Sequence, residues 1–153
     1  MIAPEHTAPG CVSEKAEAVV RRNSVRISGR GTQPMILAHG LGCDQHMWRL
    51  ITPAFEDDYR IVLFDHVGAG QSDLDAYDPA KYATFGGYAA DLLEICAELD
   101  LRDAIFVGHS VSAMIGVLAS IREPARLSQL IMVGPSPRYR TVHHGKCGPS
   151  RVR

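Results

Sequence analysis

The residue best placed to do chemistry is the serine at the centre of Gly108-His109-Ser110-Val111-Ser112. An apolar run, Ala104-Ile105-Phe106-Val107, leads into it, and residues 113–121 follow with a helical pattern. A strand, a five-residue turn and a helix form a nucleophile elbow, which strains the serine backbone and exposes its hydroxyl above a sheet. Strand and helix backbones nearly touch at such a turn, so the residues two before and two after the serine must be small. Gly108 meets this demand and Ser112 meets it approximately, Gly being the commoner residue there. In an ordinary loop Gly-x-Ser carries no such meaning; the flanking strand and helix patterns separate the two readings.

A serine hydroxyl attacks a carbonyl only when a base takes its proton and fixed donors receive the developing oxyanion. Two backbone donors fit. One is the N–H of Val111, at the start of the helix after the turn. The other is the N–H of Leu41, between Gly40 and Gly42, where glycines let the backbone approach a substrate closely. Those glycines serve equally well simply to turn the chain.

The elements that must hold these residues alternate. Residues 13–22 suit a short helix capped by Ser13, and residues 23–28 alternate as an edge strand closed by Gly29-Arg30-Gly31. Continuous apolar runs at 35–38, 60–64, 104–107 and 130–133 read as strands buried in a parallel sheet. Between them Asp44 caps an expected helix running to about Phe55, and residues 88–99 are amphipathic through Leu92, Ile95, Cys96 and Leu99. The fold class is therefore α/β, a mainly parallel sheet flanked by helices.

Size and composition set the outer bounds. A chain of 153 residues, 46% hydrophobic and 22% charged, builds one domain and not two. Net charge is −1, which gives no case for nucleic acid or membrane attraction. Its distribution is uneven, with 17 acidic and 10 basic side chains in residues 1–123 against six basic and no acidic ones in 124–153. The four cysteines (Cys11, Cys43, Cys96, Cys147) lack CxxC or metal-ligand spacing, so a reduced, cytoplasmic protein without metal or cofactor is expected. The first residues show no signal-peptide pattern, and no apolar run approaches the ~18–20 residues that cross a bilayer. Gly68-Ala69-Gly70 lacks the third glycine of a dinucleotide fingerprint, Asp73 standing there, and Asp65 before it reads as a loop-fixing acceptor. Gly145-Lys146-Cys147 lacks the Ser or Thr of a phosphate loop.

Several motifs recur in order: His-Gly-Leu-Gly-Cys-Asp-Gln-His-Met-Trp (39–48), Phe-Asp-His-Val-Gly-Ala-Gly-Gln-Ser-Asp (64–73), Ala-Tyr-Asp (76–78), Val-Gly-His-Ser-Val-Ser-Ala-Met-Ile-Gly (107–116), Leu-Ala-Ser-Ile-Arg (118–122) and Val-Gly-Pro-Ser-Pro (133–137). Together they resemble the α/β-hydrolase superfamily, in particular the group holding the bacterial stress-signalling hydrolase RsbQ and the plant karrikin and strigolactone receptors. The resemblance runs from about Arg22 to Tyr139. It implies that Ser110 is the nucleophile, that Leu41 and Val111 supply the oxyanion-hole amides, and that a small hydrophobic ester or lactone-like ligand is hydrolysed.

It also implies missing parts. The triad order in this fold is Ser, then Asp or Glu, then His. Glu123 is the only acid after Ser110, and His143 and His144 lie in an unpatterned Gly, Pro, Ser, Arg and His tail. His39 and His109 are the other histidines considered as base; the first reads as structural and the second as a packed support. The expected organisation is a flexible extension (1–22), the N-terminal half of an α/β-hydrolase domain (23–139) and a basic tail foreign to the family (140–153), as in a truncated or frameshifted copy, in which the strand at 130–133 loses its neighbour and becomes an exposed apolar edge. A serine hydrolase without its base loses about six orders of magnitude in turnover. Three functions follow: an impaired ester or lactone hydrolase, a regulatory ligand-binding protein acting through a signalling partner, or a non-functional fragment.

Overall fold

The computed structural model describes residues 13–136. Five strands form one sheet in the order β1-β3-β2-β4-β5, with β1 Arg26–Ser28, β2 Gln33–Ala38, β3 Tyr59–Phe64, β4 Ala104–His109 and β5 Leu127–Val133. Among the described strands only β1 runs antiparallel, against β3, and it lies at the sheet edge as its alternating sequence suggests. β2 lies between β3 and β4, parallel to both, with Ile36 opposite Val62 and Phe106.

Side chains alternate across a strand, so the sheet has two distinct faces. On one, Ile36, Ala38, Val62, Phe64 and Phe106 meet three helices: α1 Glu14–Arg22, α2 Phe85–Glu98 and α3 Val111–Arg122. Phe64 and Phe106 are buried almost completely there, each contributing roughly 1.5–3 kcal/mol relative to an exposed ring. On the other face Met35, Leu37 and Ile61 pack under Trp48.

The helix expected from Asp44 to Phe55 does not form. Asp44 does cap, accepting from the His46 N–H, but it opens a single 3-10 turn, Gln45–Trp48, and a second such turn covers Thr52–Ala54. Pro53 is the reason: it has no N–H to continue an α-helical ladder, and it disfavours helical backbone at the residue before it. Trp48 is buried while Leu50 is left exposed.

The boundary expected at residue 22 falls inside a packed unit. Ser13 caps α1 as the sequence suggests, Val19 enters the core, and Arg22 pairs with Glu94 at 2.6 Å and with the buried Asp91 at 3.2 Å. Only α2 could supply these partners, which is why an isolated reading of residues 1–22 left the helix outside the domain.

β5 follows a register shift opposite Ala104 and Ile105 and is, among the described residues, the sheet's second edge. Unlike the other apolar runs it is not buried: Ile131, Met132 and Val133 are 46%, 48% and 41% exposed. A row of unpaired backbone groups on an uncharged edge is an aggregation hazard.

Candidate active site

β2 leads outward to β3, whereas β4 leads to β5 on the opposite side, so the connections leaving β2 and β4 diverge. Crevices at the carboxyl ends of such strands are where open α/β sheets bind ligands. Here the crevice falls between residues 39–42, after β2, and Ser110, after β4.

Ser110 has φ 55° and ψ −117°, outside every region open to an L-residue without strain. The chain turns there from β4 into α3 within one residue. Its own N–H donates to the Val133 carbonyl at 2.8 Å, and its side chain makes no capping hydrogen bond to the helix. The turn leaves no room at Gly108, where a Cβ would meet Ser112 O and Ala113 N at 2.7 Å. Gly40 faces the same turn: a Cβ there would lie 3.3 Å from the Ser110 Cβ and would collide with the His109 ring. The two glycine-dependent segments thus come together, with His109 packed against Gly40.

A cavity of about 830 Å³ opens over this point. Leu41 and Val111 line it, while Ser110, joined to Val111, does not. Its walls are largely apolar, with Val67, Phe85, Tyr82, Tyr88 and Ile115 prominent. The Tyr82 and Tyr88 rings lie 4.8 Å apart, and His66 meets Tyr88 edge-on at 5.5 Å. Burial raises the pKa of both phenols, and for Tyr82 a hydrogen bond to Asp91 (2.9 Å) adds to it, so both stay uncharged. Among the described residues neither the Leu41 nor the Val111 N–H is used in a loop hydrogen bond.

Two of the histidines near the site, His39 and His66, are engaged in hydrogen bonds. His39 is buried; its Nδ1 donates to the Gly40 carbonyl (2.9 Å), and its Nε2 accepts from the His66 N–H (3.1 Å). With both nitrogens occupied it has no lone pair for Ser110. Buried Nδ1 of His109 has no hydrogen-bond partner among the described residues. Glu123 caps the far end of α3, about 20 Å along the helix from Ser110, and pairs with Arg126 at 3.1 Å. His143 and His144 lie outside the described residues. Among the described residues no group of three or more His, Cys, Asp or Glu is placed to hold a metal ion.

Asp65 fixes the loop after β3, its carboxylate accepting from Gln45 N (2.8 Å), Gln45 Nε2 (3.0 Å) and Gln71 N (2.8 Å). Sequence reasoning missed one pair. The Ser112 hydroxyl lies 2.6 Å from His66 Nε2 and donates to the His39 carbonyl. The signal was a serine where the turn usually takes glycine, and its meaning depended on two loops remote in sequence. Burial, followed by the neighbouring His39, lowers the His66 pKa to about 3, so the ring is neutral.

A parallel sheet with a strained serine at its switch point, beside a glycine turn and under an apolar cavity, defines the hydrolase class of α/β proteins. The chain belongs to the alpha/beta hydrolase fold family, which it matches over residues 33–145. It is 46% identical over 121 residues to a karrikin insensitive 2 receptor of Petunia hybrida, covering 79% of this chain and 45% of that protein. It is 48% identical over 116 residues to a strigolactone esterase of Arabidopsis thaliana, covering 76% and 43%. Among solved structures, a hydrolase from Oleispira antarctica matches with a TM-score of 0.78 and 44% identity, over 80% of this chain and 45% of that one. The chain therefore spans about 45% of the length of such relatives.

Proposed function

We propose that this chain carries the nucleophilic half of a serine hydrolase, with Ser110 attacking the carbonyl of a small hydrophobic ester or lactone-like ligand. Leu41 and Val111 donate their backbone N–H groups to the oxyanion. The observation that carries this reading is the strained backbone of Ser110 beside Gly40, next to a largely apolar cavity lined by Leu41 and Val111. A strain of this kind persists only where the surrounding structure enforces it, and such positions cluster at functional sites. The esterase and receptor names among the relatives agree with a small apolar ligand.

Among the described residues His39 and His66 are committed to other partners, His109 packs against Gly40 and Glu123 lies at the far end of α3, so these residues alone form no triad with Ser110 and would keep only the contribution of oxyanion hole and binding, some 10³–10⁴-fold over water. The second reading, a regulatory ligand-binding protein of the RsbQ type acting through a signalling partner, is favoured by the receptor relatives and by a cavity that needs no base to bind. Cytoplasmic residence belongs to both readings and rests on the cysteines: the described pair, exposed Cys43 and buried Cys96, are free thiols.

The test is a fluorophosphonate probe on the full chain, read by intact mass beside Ser110→Ala. One slow adduct on the parent and none on the variant is expected. No adduct on cooperatively folded parent overturns the hydrolase reading. Ligand binding that survives in Ser110→Ala then selects the binding protein, and aggregation without cooperative unfolding selects a non-functional fragment.

A further inference from the structure

We propose that Ser112 and His66 are positioning residues for the oxyanion turn, holding His39 in the one tautomer that orients the Leu41 N–H. The use of that turn rests on the hydrolase reading above; the positioning itself rests on a closed set of donor and acceptor assignments.

Ser112 is fully buried and has one hydroxyl proton, which goes to the His39 carbonyl. Its oxygen therefore accepts from His66 at 2.6 Å, so the proton of the neutral His66 ring sits on Nε2. This leaves His66 Nδ1 bare, buried and, among the described residues, without a partner. An imidazolium would need acceptors at both nitrogens, and this site offers one.

The backbone N–H of His66 donates to His39 Nε2 at 3.1 Å, so that nitrogen carries no proton. The proton of His39 is then on Nδ1, where it reaches the Gly40 carbonyl at 2.9 Å. The Cys43 N–H also donates to this carbonyl, at 3.2 Å. Gly40 C=O and Leu41 N–H belong to one planar trans peptide and point in opposite directions. Pinning the carbonyl on His39 therefore fixes where the N–H points. The hydroxyl of Ser112 ties the His39 backbone to α3, and with it the turn to the elbow. A glycine at position 112, commoner in this turn, would fit sterically but would supply none of this.

The experiment compares the full chain with Ser112→Ala, each carrying ¹⁵N-labelled histidine and backbone amides, by long-range imidazole NMR and by titration with phenylboronic acid, whose boron adds to a serine oxygen. In the parent, His66 is expected as the Nε2–H tautomer and His39 as Nδ1–H. In Ser112→Ala the His66 tautomer becomes mixed and the Leu41 amide resonance shifts and broadens, while those of Val62 and Phe106 stay in place. Boronate affinity falls by roughly tenfold or more, oxyanion donors being worth up to ~10²–10³ in rate. Unchanged imidazole and Leu41 signals in the variant overturn the proposal. So does a parent His39 protonated on Nε2, a result that stands even if the variant does not fold. A parent that binds no boronate counts against Ser110 as nucleophile, and the tautomers still decide the role of Ser112.

Discussion

Replacing Ser110 by glycine should make this protein more stable while removing its chemistry. The backbone at Ser110, φ 55° and ψ −117°, costs an L-residue about 1–3 kcal/mol. Glycine has no Cβ and is largely relieved of that cost, at an entropic penalty in the unfolded chain of roughly 0.5–1 kcal/mol. Nothing else is lost to the helix, since the Ser110 side chain makes no capping hydrogen bond. The net gain is about 1–2 kcal/mol, or roughly 3–8 °C in Tm for a domain of this size. Ser110→Ala is the control, because it removes the hydroxyl but keeps the Cβ and hence the strain. Thermal and urea unfolding followed by circular dichroism should rank Ser110→Gly above both Ser110→Ala and the parent, with fluorophosphonate labelling absent from both variants. A glycine variant no more stable than the alanine variant would refute the claim that strain is stored at this residue.

Three further outcomes follow from the geometry. His66 has a pKa lowered to about 3 by burial, so between pH 6.5 and 3 the unfolded chain binds a proton that the folded chain refuses. Its contribution to stability is constant above about pH 6.5 and falls by up to ~1.4 kcal/mol per pH unit below it. Urea midpoints measured from pH 7.5 to 5.0 should decline, and less steeply in His66→Gln; parallel slopes would contradict the assignment. Asp65→Ala removes the acceptor for three hydrogen bonds, two of them from Gln45, and should cost about 3 kcal/mol in urea unfolding. A loss below 1 kcal/mol would mean that the loop does not depend on that carboxylate. Ile131→Lys puts a charge on the half-exposed β5 edge and should suppress concentration-dependent light scattering with little change in Tm. Unaltered scattering would place the association elsewhere.

Much of the architecture was legible because the strands are short apolar runs and the helices α1 and α2 carry caps or an apolar stripe. The runs at 35–38, 60–64 and 104–107 lie inside β2, β3 and β4, and the residue 23–28 stretch contains the edge strand β1. Failures came where a local pattern was outvoted by something outside it. Met47, Trp48, Leu50 and Ile51 have helical spacing, yet Pro53 and the demand to cover Met35, Leu37 and Ile61 produce two 3-10 turns instead. The run at 130–133 has the composition of a buried strand, yet among the described residues it is the exposed edge expected where a neighbouring strand is missing, since β5 pairs there with β4 alone.

The sequence by itself determined the elbow, because a strand, a small-residue turn and a helix in unbroken succession form a local pattern. It likewise marked Gly40 and Gly42 as a turn, and Asp65 as an acceptor in a glycine-rich loop. Only the tertiary structure decided which histidines are free. His39, His66 and Ser112 are separated by 27 and 46 residues, and their tautomers are fixed by which single proton each hydroxyl and ring must share. Hydrogen-bond roles of that kind are properties of a closed network, and a network closes only when the sheet has brought its loops together.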